Sequence, residues 1–261
     1  MKNTNKMIIS VAVAAIAAAA GFFMGKEASM SAENPINPQF AQTWNHFIEH
    51  DVKPHGNLDA ATRYLVIMAA HIANQSVNEY KIILSEALNN GVTPVAAQEV
   101  IYQAIPYVGM AKVYDFFAAA NQVFVEHGIK LPLPDQSTTT PNNRLEKGLA
   151  AQKAIFGSHI DEMRANAPDE LKHIQDYLSA NCFGDYYTRT GLDLKTRELL
   201  TFALISSLGG ADPQVRAHVQ GNLNIGNNKQ VLLDVVSQIL PYIGYPRSLN
   251  AIAAVNDIAK E

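Results

Sequence analysis

Apolar residues recur at helical spacing along nearly the whole chain, and capping residues cut that pattern into segments of helix length. Phe40 to Asp51 reads as an amphipathic helix stopped by Pro54 and Gly56. Asp59 is placed to cap a helix running to about Asn74. Ser76-Val-Asn-Glu79 has the form of a capping box, and the helix it opens closes at Gly91. Thr93-Pro94 supplies an N-cap with proline at the first helical position, for a helix ending near Pro106-Tyr107. Another runs from Ala111 to about His127. Later in the chain Asp193 caps a helix ending at Gly209-Gly210, Asp212-Pro213 opens one that closes at Gly226, Asn228 caps a third, and Pro246 leads the last. Leu149 to Phe156 and Pro168 to Tyr177 also look helical. Alternating, strand-like runs are almost absent, so the pattern predicts an all-α fold.

The punctuation repeats because the sequence does. Gln103-Ala-Ile-Pro106-Tyr107-Val-Gly109 returns as Gln238-Ile-Leu-Pro241-Tyr242-Ile-Gly244, 135 residues later. Leu88-Asn-Asn-Gly91 returns as Leu223-Asn-Ile-Gly226 at the same shift, and Leu58-Asp59-Ala-Ala-Thr62-Arg63 as Leu192-Asp193-Leu-Lys-Thr196-Arg197 at 134. A shift that holds within one residue over three blocks marks a tandem duplication of one helical module. The organisation expected is a first repeat over 36–128, a Pro- and Thr-rich linker over 129–143, and a second repeat over 144–261 that carries extra sequence ahead of its core.

Composition narrows the chemistry. Of 261 residues 48% are hydrophobic, enough for a core in each repeat. The formal charge is −4 with Lys and Arg scattered, which gives no nucleic-acid footprint. The lone cysteine, Cys182, excludes an internal disulfide, a four-cysteine zinc site and a Cys-x-x-Cys redox pair. Residues 1–32 have the layout of an export segment: Lys2 and Lys6, then an alanine-rich apolar stretch from Met7 to Met24. Cleavage as a signal peptide and retention as a membrane anchor through residues 7–24 both stand, and both place the body in the periplasm or otherwise outside the cytoplasm. Losing that segment removes three Lys and one Glu, which takes the charge from −4 to −6.

The second copy reads Cys182-Phe-Gly184-Asp185-Tyr-Tyr187-Thr-Arg189-Thr-Gly191-Leu-Asp193-Leu-Lys-Thr196-Arg197, then Gln214-Val-Arg216-Ala-His218, then Tyr242-Ile-Gly244-Tyr-Pro246. This combination resembles the carboxymuconolactone decarboxylase family from about Arg144 to the C-terminus, and more weakly over Phe40 to Val125. The resemblance implies an all-α fold whose modules bury one another in rings, so that a tandem chain is expected as a homotrimer. The family's alkylhydroperoxidase relatives carry a Cys-x-x-Cys pair ahead of the histidine; here those positions are Ala211 and Gln214, which removes that peroxide chemistry. The decarboxylase branch needs no cofactor, because a conjugated lactone carbonyl accepts the electrons released with carbon dioxide. The protein must hold carboxylates, stabilise an enolate and deliver a proton.

On that resemblance His218 is the candidate for proton transfer, and the first copy has Ile83 in its place. Asp185 is expected to orient Arg189 or His218, and Arg189 and Arg197 to bind substrate carboxylate, as guanidinium forks do. A helix-start tie between modules is the other reading for Arg197, since Arg63 matches it in the first copy. Tyr242 and Gln214 complete the candidate substrate contacts; Tyr242 is matched by Tyr107, which leaves a packing role equally open, and Gln214 stands where the decarboxylases usually carry Glu. His46-Phe-Ile-Glu49-His50 matches a zinc-protease pattern without a clear third ligand, and no metal is expected. A small acid or lactone is the expected partner. The rival to an enzyme is a secreted helical binding module that has kept the fold.

Overall fold

A computed structural model describes residues 37 to 260. The expected export or anchor segment lies outside the described residues. No helix among the described residues is long and apolar enough to cross a membrane. Every described element is helical, and the chain divides after His50 into two compact units.

The first unit holds α1 (Pro38–His46), whose start is capped by Asn37 Oδ1 accepting from the Phe40 amide at 3.0 Å. The single helix expected over Phe40 to Asp51 instead changes pitch after His46, continuing as a π-helical turn, Phe47–Val52. His46 and His50 pack ring against ring at 4.9 Å. No group of three or more metal-ligating side chains occurs among the described residues.

In the second unit, α2 (Ala60–Ala73), α3 (Val77–Asn89), α4 (Pro94–Val108) and α5 (Met110–Glu126) form one repeat. They match α9 (Leu194–Leu208), α10 (Asp212–Asn224), α11 (Lys229–Ile243) and α12 (Tyr245–Ile258). Between the repeats lie α6 (Arg144–Phe156), α7 (His159–Ala165), a 3₁₀ turn (Asp169–Leu171), α8 (Lys172–Tyr177) and a π-helical stretch, Leu178–Tyr187. The short α7 has no counterpart in the sequence reading.

The caps explain most of these boundaries. Asp59, Thr93, Asp193 and Asn228 have extended backbones and accept from the amide three residues on. Ser76 departs from the expected capping box: its ψ is 69° rather than extended, and its side chain makes no capping bond. Helices α4 and α11 run past Pro106 and Pro241, which fall in their last turns, and stop at the glycines that follow.

α2 and α9, equivalent in the two repeats, pack on each other at the centre. Tyr64 to Ala73 and Arg197 to Ser207 are buried without a break. The layer that encloses the two helices on all faces comes from both repeats, and the polar groups of α9 are buried with them.

The repeats are fastened by a reciprocal exchange. On α4, Glu99 and Gln103 sit one turn apart and reach Arg189 and Arg197 of the second repeat. On α11, Asp234 and Gln238 stand at the matching positions and reach back to the loop ahead of α2. Asp234 accepts from the Asn57 amide at 2.9 Å, and Gln238 donates to the Val52 and His55 carbonyls at 3.0 and 2.6 Å. Each acid lies against a glycine of the loop it holds. A methyl group added to Gly56 would meet Asp234 Cγ at 2.9 Å, and one added to Gly191 would meet Glu99 Cγ at 3.0 Å. Both glycines also adopt positive φ, 90° and 87°, so the loop needs glycine for shape and for room.

Candidate active site

The site is assembled where α9 and α10 cross. The inward face of α10 carries Val215, His218, Val219 and Asn222 at helical spacing, and α9 presents Glu198 to it. His218 Nδ1 and Glu198 Oε1 are 2.5 Å apart, and Glu198 is fully buried. Gly221, one turn along α10, makes the approach possible, since a methyl group there would lie 2.5 Å from Glu198 Oε1. Asn222 Nδ2 donates to the backbone carbonyls of Glu198 and His218, at 3.1 and 2.7 Å, and so ties the two helices at this level.

A buried carboxylate is tolerated only when its oxygens are hydrogen-bonded. Tyr187, at the end of the π-helical stretch, donates to Glu198 Oε2 at 2.7 Å. Tyr107, from α4 of the first repeat, lies 2.9 Å from the Tyr187 hydroxyl, and the Cys182 thiol donates to Tyr107 at 3.7 Å. Burial, reinforced by the charge on Glu198, pushes both phenols well above their ordinary pKa, so both stay protonated and serve as donors. With the donors so aligned, the chain runs from Cys182 through Tyr107 and Tyr187 to Glu198, which also accepts a hydrogen bond from Nδ1 of His218. The imidazole is flanked by rings: Tyr107 and Phe156 stand roughly perpendicular to it, at 5.5 and 5.3 Å between centroids. Phe183, Ile155, Leu194 and Ile225 belong to the same apolar cluster as those two rings.

Of the residues read from the sequence, only His218 sits at this pair. Asp185 orients neither Arg189 nor His218. The helix α6 and the π-helical stretch approach so closely at Gly148 and Gly184 that Asp185 instead pairs with Arg144, and it also accepts from Asn181 at 2.9 Å. Arg189 and Arg197 are brought together, but by a carboxylate of the protein. Arg189 donates through Nε and Nη2 to Glu99 and lies 3.7 Å over the Tyr102 ring. Arg197 is fully buried, donating to Glu99 at 2.8 Å, to Gln103 at 3.2 Å and to two backbone carbonyls. Gln214 points to solvent from the outer face of α10. Tyr242 packs its ring on His71 of α2 at 4.7 Å, and its carbonyl accepts from Asn74. Burial holds the His71 imidazole below the ordinary histidine pKa, so this histidine is a neutral packing element.

Glu198 escaped the sequence reading, as did Tyr187 and Tyr107. A signal for it existed. Aligning the repeats puts Tyr64 opposite Glu198 and Ile83 opposite His218, so acid and histidine are absent from the first copy together.

Burial also settles the thiol. The pKa of Cys182 is pushed up to about 12, chiefly by burial, so almost none of it is thiolate at neutral pH. Cys182→Ser is expected to leave turnover and stability nearly unchanged, and iodoacetamide at neutral pH to leave the folded thiol unlabelled. Rapid labelling, or loss of turnover in that variant, would contradict this.

Comparison with known proteins agrees with the two-copy reading. The family model described as "Carboxymuconolactone decarboxylase family" matches residues 38–122 and again residues 172–257. A 4-carboxymuconolactone decarboxylase of Acinetobacter baylyi is 28% identical over 119 residues, which is 45% of this chain and 88% of that protein. A nitrosuccinic acid decarboxylase of Metarhizium robertsii is 27% identical over 108 residues, covering 41% of this chain and 75% of that protein. An uncharacterized 15.0 kDa protein of Paracoccus denitrificans is 34% identical over 80 residues, covering 30% and 60%.

Proposed function

Since the chain belongs to the carboxymuconolactone decarboxylase family as a tandem two-copy member, we propose that its second repeat is a cofactor-free decarboxylase of a small, electronically activated carboxylic acid, with His218 as the proton donor. The observation that carries this reading is the 2.5 Å His218–Glu198 pair, buried, and built in one repeat alone.

The chemistry follows from the surroundings. The carbon–carboxyl bond breaks, carbon dioxide leaves, and the electron pair moves into a conjugated acceptor such as an unsaturated lactone carbonyl or a nitro group. The resulting enolate or nitronate carbon takes the proton from His218 Nε2, and water later restores it. Glu198 stabilises the imidazolium through Nδ1 and fixes the ring, as a buried carboxylate does for an acid–base histidine. The aromatic rings beside the imidazole favour a transition state whose charge is dispersed over one whose charge stays on a hydrated carboxylate. The arginines do not supply the carboxylate contact at this pair: both are bonded to Glu99, and Gln103, Thr201 and Tyr187 lie between them and Glu198 along the hydrogen-bonded path. The imidazolium is the cation this site offers.

The test is a panel of small acids given to the full chain: unsaturated lactone acids, a nitro-activated dicarboxylic acid, and saturated controls. Carbon dioxide release is followed in deuterium oxide. The expected result is release from activated acids alone, with one deuterium at the carbon that lost the carboxyl group. Binding of these acids without release from any of them would favour the non-catalytic module.

A further inference from the structure

The repeats leave a second feature that the His218 chemistry does not use. A cleft of about 650 Å³ opens between α4, α5 and the linker segment 131–135, with Arg189 at its inner end. Its floor is an aromatic pair: Tyr102 and Phe117 meet edge to face at 5.1 Å. The Arg189 guanidinium lies over the Tyr102 ring, and its side chain is 9% exposed. Nε and Nη2 are bonded to Glu99, whereas Nη1 donates to no group among the described residues. Gln98 and Asn121 add side-chain amides to the lining.

The charge balance at that inner end is unequal. Arg189 and Arg197 share the single carboxylate of Glu99, and all three are buried, at 9%, 0% and 1% exposure. Two guanidiniums against one carboxylate leave one positive charge in excess. Such a charge is poorly screened away from water. The acid in the lining, Asp135, is exposed and accepts the Ser137 amide within its own turn. An anion that reached Nη1 would complete the balance.

We propose that this cleft is a binding site for a small carboxylate carrying a flat unsaturated or aromatic ring. The carboxylate meets Arg189 Nη1, the ring packs against Phe117 beside the Arg189-covered Tyr102, and the amides of Gln98 and Asn121 serve its substituents. An aromatic floor beside a positive end and a few polar groups is the usual composition of a small-molecule site. The site is distinct from the His218 pair and stands without it: between them runs the hydrogen-bonded path Arg189–Glu99–Arg197–Gln103–Thr201–Tyr187–Glu198.

Sodium benzoate is the probe, titrated into the full chain by calorimetry and by ligand-observed NMR, with benzyl alcohol as the uncharged control. Benzoate is expected to bind and benzyl alcohol to bind at least several-fold more weakly. Asn121→Asp puts a like charge at an exposed lining position and is expected to weaken benzoate by roughly five- to tenfold, without changing the benzyl alcohol affinity. His218→Ala is expected to leave benzoate affinity unchanged. Absence of benzoate binding up to tens of millimolar, equal affinity for the alcohol, indifference to Asn121→Asp, or loss of binding in His218→Ala would each overturn the proposal. The last outcome would place the probe at the decarboxylation site instead.

Discussion

His218→Ala is expected to lower turnover of an activated acid by roughly 10²–10⁴, the range for removing a positioned proton donor, while the protein stays folded. The side chain is 10% exposed and its ring contacts are edge-on, so truncation leaves a small void beside Tyr107 and Phe156 rather than a broken core. Glu198→Gln keeps the shape and removes the charge that stabilises the imidazolium. It should therefore also lose activity, with substrate binding largely retained. The first repeat offers a control. Ile83→His alone should add nothing, because Tyr64 stands where that histidine would need its glutamate. His46→Ala and His50→Ala should leave turnover unchanged. Full activity in His218→Ala would remove the histidine from the mechanism altogether.

Glu99→Ala is expected to be among the most destabilising single substitutions in the second unit. It strips the counter-charge from two buried guanidiniums at once. Breaking a buried ion pair by removing one partner costs about 3–5 kcal/mol. The matching change in the other repeat, Asp234→Ala, removes an acceptor from neutral groups, the Asn57 amide and the Gln230 side chain. That loss should cost about 1–2 kcal/mol. Denaturant unfolding of the two variants beside the parent chain measures both. The contrast carries the argument: equal losses would mean that the two acids act as packing groups and that the charge on Glu99 is incidental. A double change of Arg189 and Glu99 to neutral residues should cost less than the sum of the single changes, because each single change already forfeits their mutual attraction, though Arg197 loses its carboxylate in both the Glu99 and the double variant.

The paired acids show why the sequence was read only in part. Glu99 and Asp234 were visible as lone acids in apolar helices, each one turn from a glutamine, and the repeat shift places them in register. Their partners were not visible, because Arg189 and Arg197 lie about 90 and 98 positions away along the chain. From the motif alone an arginine pair reads as free to bind a substrate carboxylate, since a motif records which residues are present and not which charge has already been met. The same limit hid Glu198. In sequence it follows Arg197 as one more acid in the second turn of a helix; in space it lies opposite His218, twenty residues on.

What the sequence determined by itself is local and periodic. Helix starts at Asp59, Thr93, Asp193 and Asn228 follow from side chains that satisfy amides three residues away, and the all-α class follows from apolar spacing along each segment. The duplication, the family and the single histidine that distinguishes the copies were legible for the same reason: they are patterns along the chain. The tertiary structure decided the pairings. It set Asp185 on Arg144, both arginines on Glu99, Tyr107 of one repeat beside Tyr187 of the other, and Glu198 on His218. Those choices depend on which charges and hydroxyls are enclosed together once α2 and α9 are buried between the repeats. Enclosure, through the desolvation of each group, is a property of the packed protein and of no segment alone.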